Sequence, residues 1–123
     1  MRQAIAALLL SAGLLPAAPP QVTKVEPPNW WAAHSINPIR LLIRGANLRD
    51  ARVVASAKGF RASNVRVNSA GTYLFVDLAI PRSARPGPVE IAAVTGEGKA
   101  AIPFRIDAPL PRQGRFQGFS PDD

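Results

Sequence analysis

The 123-residue chain has no cysteine. That excludes a disulfide framework, a thiol nucleophile, a thiolate metal site and a lipid anchor on an N-terminal cysteine. Stability must therefore come from packing. Histidine is almost as scarce. The single one, His34, falls in a polar turn with no obvious serine-acid pair to complete a catalytic set, and reads as a surface residue. One histidine and no cysteine leave a metal ion without the several convergent ligands it needs. Acids number eight, and most fall in turns or tails. Catalysis by a carboxylate pair needs two that face each other across a substrate. Only Asp77 and Glu90 lie in strand-like segments, where a solvent-facing polar row accounts for them. "TGEGKA" (95–100) lacks the spacing and the following helix of a phosphate loop. The residues therefore provide no catalytic set, no metal site and no cofactor site.

Also missing, beyond the first residues, is any sustained 3.6-residue apolar stripe. The N-terminus itself is distinctive. Met1-Arg2-Gln3 gives a short cationic start, "AIAALLLSAGLL" an apolar run, and "PAAPP" small residues for cleavage after Ala17 or Ala18. That is the layout of a secretory signal peptide over residues 1–18. The run is well short of the roughly 20 residues that span a bilayer. The expectation is an exported protein, periplasmic or extracellular, with no membrane segment after cleavage. The roughly 105 residues that remain suit one domain and not two.

Fifteen Lys and Arg against eight acids give a net charge of +7. Such a balance raises the question of nucleic acid. The cations recur singly along the chain and do not cluster in sequence, so a solvated basic surface is the better reading and no nucleic-acid partner is expected.

Short alternating runs separated by Gly and Pro fill the rest. In "IRLLIRG" (39–45) Leu41 and Ile43 share one face, and Arg40, Leu42 and Arg44 the other. "ARVVASA" (51–57) and "FRASNVRV" (60–67) follow, joined by a Lys58-Gly59 turn. "TYLFVDLAI" (72–80) is the clearest strand: Leu74, Val76, Leu78 and Ile80 form a core face. Ile102, Phe104 and Ile106 match it from the end of the chain. "ARPGP" (84–88) fits a type II turn with Pro86 and Gly87 at its centre. "VEIAAV" (89–94) and "AAIPFRI" (100–106) pair across "TGEG", with Pro103 marking an edge or a bulge. About seven short strands with turns every eight to twelve residues predict an all-β, immunoglobulin-like sandwich over 22–107. Residues 108–123, "APLPRQGRFQGFSPDD", read as a linker.

"VEPPNWWAAH" (25–34) places both tryptophans side by side behind a Pro-Pro step. Strand alternation sends adjacent side chains to opposite faces, so one indole is expected in the core and the other partly exposed. An outward indole is a platform for a sugar ring or for a docked domain.

The segments "VEPPNWWAA", Asn37-Pro38, "LLIRGANL" (41–48), "YLFVDL" (73–78), "ARPGPVEI" (84–91) and "QGFSPDD" together resemble the N-terminal domain of cyclomaltodextrinase and neopullulanase-type enzymes of glycoside hydrolase family 13. The likeness runs from about residue 22 to 123, and Pro-Pro-x-Trp-Trp is its most specific element. Family members usually follow the tryptophans with glycine-methionine, where this chain has Ala33-His34. The resemblance implies an early-set immunoglobulin-like fold and a non-catalytic accessory role. It implies as partner the catalytic (β/α) barrel of an α-amylase-type enzyme, into which the tail around "GFSPDD" leads. Docking or carbohydrate contact then falls to Asn29, Trp30, Trp31 and Phe119, with malto-oligosaccharides as ligands or a dimer contact as further implied roles. The rhythm "GANL…PGPVEIAAVTGEG" is also similar to the IPT/TIG sandwiches of surface and regulatory proteins. Those are interaction modules with no enzymatic partner.

Overall fold

A computed structural model describes residues 17–111; residues 1–16, which hold most of the expected signal peptide, and residues 112–123 of the expected linker, with Phe119, lie outside the described residues. The strands in chain order are β1 (Gln21–Glu26), β2 (Asn29–Trp31), β3 (Ile39–Ala46), β4 (Arg52–Ala55) and β5 (Arg61–Val67). They continue with β6 (Tyr73–Ala79), β7 (Gly87–Pro88), β8 (Ile91–Thr95), β9 (Gly98–Ala101) and β10 (Arg105–Asp107). Among the described residues there is no helix, hence none long and apolar enough to cross a membrane.

Alternation in β3 and β6 generates the first layer. These two strands pair antiparallel from Ile39↔Leu78 to Arg44↔Tyr73, and the sheet order is β1-β3-β6-β5. Leu41, Ile43, Leu74, Val76 and Leu78 point inward and are buried. The second layer is divided into two three-stranded sheets, β2-β10-β7 and β4-β8-β9. Ile91 and Ala93 of β8, Ile106 of β10 and the intervening Ile102 and Phe104 join the same apolar cluster. Each such Leu, Ile or Phe contributes roughly 1.5–3 kcal/mol when fully buried. This is the immunoglobulin-like sandwich that the alternation predicts. The division into ten strands is finer than expected because the strand at 100–106 is cut in two, the expected turn at 84–88 supplies the two-residue β7, and Pro27-Pro28 separates β1 from β2.

The cut is at Pro103. The expected strand 100–106 becomes β9 and β10, and the chain between them crosses from one sheet to the other. Ile102 N–H donates to Ile91 C=O and Phe104 C=O accepts from Val89 N–H, both at 2.9 Å, so only the proline, which has no N–H, falls at the crossing. The turn expected at 84–88 does not form. The tight turn lies earlier, at Pro81–Ala84, closed by Ala84 N–H to Pro81 C=O at 2.9 Å. Gly87, at φ 139°, is too extended for a type II turn and instead pairs with Ile106 in β7. The β8–β9 hairpin forms as expected, with Thr95 opposite Gly98.

Gly45 allows β1 to join the first sheet. A Cβ on Gly45 would lie 1.9 Å from the Gln21 carbonyl oxygen, a distance no side chain tolerates. Beside this contact the β1 register shifts between Val22 and Lys24.

Candidate functional site

The paired tryptophans end up on a sheet edge. β2 has three residues and, among the described residues, one neighbour, β10, with which it runs parallel: Arg105↔Asn29, Ile106↔Trp30 and Asp107↔Trp31. The Pro27-Pro28 step separates it from β1. Asn29 donates through Nδ2 to the Asp107 carboxylate, which also receives Arg105 Nε at 3.1 Å. Ala32 N–H donates to Asp107 C=O at 2.9 Å. Asn29 is thus committed to holding β2 on β10.

The indoles do not separate as alternation predicts. Their ring centroids are 5.2 Å apart with the planes at 57°, and both residues are half-buried. Trp30 packs against the core, while Trp31 is not among the side chains that do. Of the expected division into one buried and one partly exposed ring, the buried half fails: Trp30 reaches the core but stays half-buried, while Trp31 is partly exposed. β2 ends at Trp31, and the next turn passes through Ala33 in the left-handed region at φ 57°. At such a strand end the long side chains converge on the loop that folds back over them.

That loop brings in His34, which the sequence placed on the open surface. Its imidazole is half-buried, 4.8 Å from the Trp30 ring and 5.8 Å from the Trp31 ring, nearly parallel to the latter at 29°. Nδ1 accepts the Ile36 N–H at 2.9 Å, so the neutral ring carries its proton on Nε2. Trp30 Nε1–H donates to Ile36 C=O at 3.1 Å. Asn37 then fixes the loop to the first sheet. Its amide donates to Ile80 C=O at 2.7 Å and accepts Ile80 N–H at 2.9 Å, mimicking one more rung of backbone pairing at the end of β6. Asn37 was legible only as half of Asn37-Pro38, and His34 only as a lone turn residue. Ile36, 55 % exposed, gave no signal.

The corner can make contacts but has no chemistry of its own. Trp31 stacks on His34 while Trp30 is tilted against both, and the gap between the rings, lined by Ala33, Ile36 and Ile80, is too narrow for a sugar ring. No group of three His, Cys, Asp or Glu converges among the described residues. Asp77 and Glu90 are not neighbours: Asp77 lies in β6 of the first sheet, and Glu90, exposed, lies between β7 and β8. Asp77 is also not solvent-facing, being 7 % exposed. Arg40 Nε reaches Oδ1 at 2.7 Å, and Asn64 Nδ2 reaches Oδ2 at 2.9 Å. The Arg40 and Asn64 hydrogen bonds hold its pKa down at about 2, against the upward push of burial.

No curated protein matches the chain. The model of one family, described as cyclomaltodextrinase, N-terminal, matches residues 24–109. That span takes in every strand from β2 to β10 and the whole corner from Asn29 to Asn37. The chain belongs to the cyclomaltodextrinase N-terminal domain family.

Proposed function

We propose that this chain is the non-catalytic accessory domain of an exported α-glucan hydrolase of the α-amylase type, and that its tryptophan corner docks on the catalytic (β/α) barrel. In this reading residues 1–18 are a cleaved signal peptide, 22–107 the domain, and 108–123 the linker toward the barrel. The observation that supports it is the parallel pairing of β2 with β10. Asp107, the last residue of β10, is opposite Trp31, so the chain leaves β10 beside the aromatic corner. The segment after Asp107 therefore starts next to Trp31. The closed packing of the rings favours docking over a sugar platform, which needs an open ring face.

The test is a titration of the domain with a cyclomaltodextrinase barrel expressed without its own N-terminal domain. Measurable affinity is expected, with Trp31→Ala weakening it at least about tenfold, the loss typical of an interface hot spot. Lys99→Gln, on the distant β9, is expected to leave it unchanged. No binding, or binding indifferent to Trp31, overturns the docking role. Binding of maltoheptaose that disappears with Trp31→Ala would replace it by carbohydrate contact.

A further inference from the structure

Among the described residues no layer covers the outward face of the four-stranded sheet, and its composition differs from that of an ordinary solvated face. Cross-strand partners share a face, so the register gives its rows. Glu26, Leu42, Phe75 and Arg66 form one row, and Lys24, Arg44 and Tyr73 the next. A third row holds Arg40, Asp77 and Ser63, and Arg61 flanks it opposite Ala79. Phe75 is 42 % and Tyr73 38 % exposed. Leu42 and Tyr73 border a shallow dent with Lys24, Glu26 and Arg44.

Charge on this face is one-sided. Both carboxylates are already engaged: Glu26 by Lys24 at 2.8 Å and Asp77 by Arg40 at 2.7 Å. Arg44, Arg61 and Arg66 have no carboxylate partner among the described residues. They flank the aromatic strand β6 from both sides, Arg44 on β3 and Arg61 and Arg66 on β5. Two strand spacings separate those columns, about 9–10 Å, with Tyr73 and Phe75 between. Arg44 leans over the Tyr73 ring, 6.0 Å from its centroid.

We propose that this face binds a linear acidic polysaccharide, its carboxylates on the arginine columns and a sugar ring against Phe75 and Tyr73. A second copy of this chain is disfavoured, since an isologous contact would stack like charges on one another. A protein partner is disfavoured too. The fully buried core of a protein interface is depleted of charge, whereas here three apolar side chains stand among seven charged ones. A small molecule would lack the depth that usually encloses one. A flat face with cations on both sides of exposed rings suits an extended anionic chain. This inference does not rest on the docking corner, which is on the second layer.

The experiment is a titration of the purified chain with polygalacturonate oligomers, followed by backbone amide NMR, beside maltoheptaose and poly(dT) as comparison ligands. The expected shifts are confined to β1, β3, β5 and β6, with affinity falling as salt rises and no response there to maltoheptaose. Arg44→Gln with Arg66→Gln is expected to weaken binding about tenfold or more, and Phe75→Ala about fivefold. Arg52→Gln, on the opposite sheet, is expected to have little effect. All these side chains are exposed, and a thermal melt of each variant checks folding. The wild-type shift map is decisive even if a variant fails to fold. Shifts spread over the whole surface, an Arg52→Gln loss equal to that of the double variant, or tighter binding of poly(dT) would overturn the proposal.

Discussion

Replacing Asn37 tests how the aromatic corner is built. Its amide makes two hydrogen bonds to the backbone of Ile80, one donated at 2.7 Å and one accepted at 2.9 Å. Each is worth about 1 kcal/mol net. Asn37→Ala removes both and leaves the Ile80 N–H and C=O without these partners, a loss of about 2 kcal/mol. In a domain of this size that lowers the melting temperature by about 10 °C. Asn37→Asp is more telling. A carboxylate still accepts from Ile80 N–H, yet it sets an anionic oxygen against the Ile80 carbonyl in place of the donor. At neutral pH Asn37→Asp is therefore expected to be no more stable than Asn37→Ala, despite being nearly the same shape as asparagine. Urea titrations of the three proteins, followed by far-ultraviolet circular dichroism, measure this. Wild-type stability in Asn37→Asp, within about 0.5 kcal/mol, would refute the claim that the donor to Ile80 holds the loop.

The hydrogen bonds from Arg40 and Asn64 depress the Asp77 pKa to about 2, below its unfolded value near 3.8. Their contribution is present above pH 4 and lost as pH falls from 4 toward 2. Asp77→Asn is expected to flatten that part of the stability profile, and an unchanged acid limb would contradict it. Gly45→Ala forces a Cβ to within 1.9 Å of the Gln21 oxygen. It should cost at least about 1–3 kcal/mol, with faster amide exchange concentrated in β1; exchange unchanged there would be the contrary result. Ala33→Gly relieves a left-handed alanine at φ 57°, and thermal melts should show a gain of about 0.5–1 kcal/mol once the glycine's greater unfolded-state entropy is included.

Where side-chain period and burial coincide, the sequence was sufficient. Leu41, Ile43, Leu74, Val76 and Leu78 follow a period of two and lie in the core, so the core face of the first sheet was readable from β3 and β6 alone. Features that depend on what a strand meets at its ends were not readable. Pro86-Gly87 has the composition of a turn, but Gly87 is drawn into pairing with Ile106, a partner distant in sequence. Asp77 alternates outward like a solvent residue, and only the approach of Arg40 and Asn64 covers it. The tryptophan pair shows the limit most clearly. Alternation governs Cβ directions in a continuing ladder, and β2 stops at Trp31. His34 and Ile36 reach the indoles through a turn whose course depends on Asn37 finding Ile80, a contact 43 residues away. Pro-Pro-x-Trp-Trp and Asn37-Pro38 drew attention to the corner as a family resemblance, but gave no geometry for it.

The chain contains two tryptophans and no others, and both are in the corner proposed to dock on the barrel. Labelling the domain with 5-fluorotryptophan therefore gives two ¹⁹F resonances that report on that corner alone, whatever tryptophans an unlabelled barrel contains. On titration with the barrel, the docking account predicts that the Trp31 resonance, assigned with Trp31→Phe, shifts or broadens at saturation. Maltoheptaose alone should leave both lines in place. Barrel binding, established independently by sedimentation, with both fluorine lines unmoved would contradict the account and place the contact elsewhere on the sandwich.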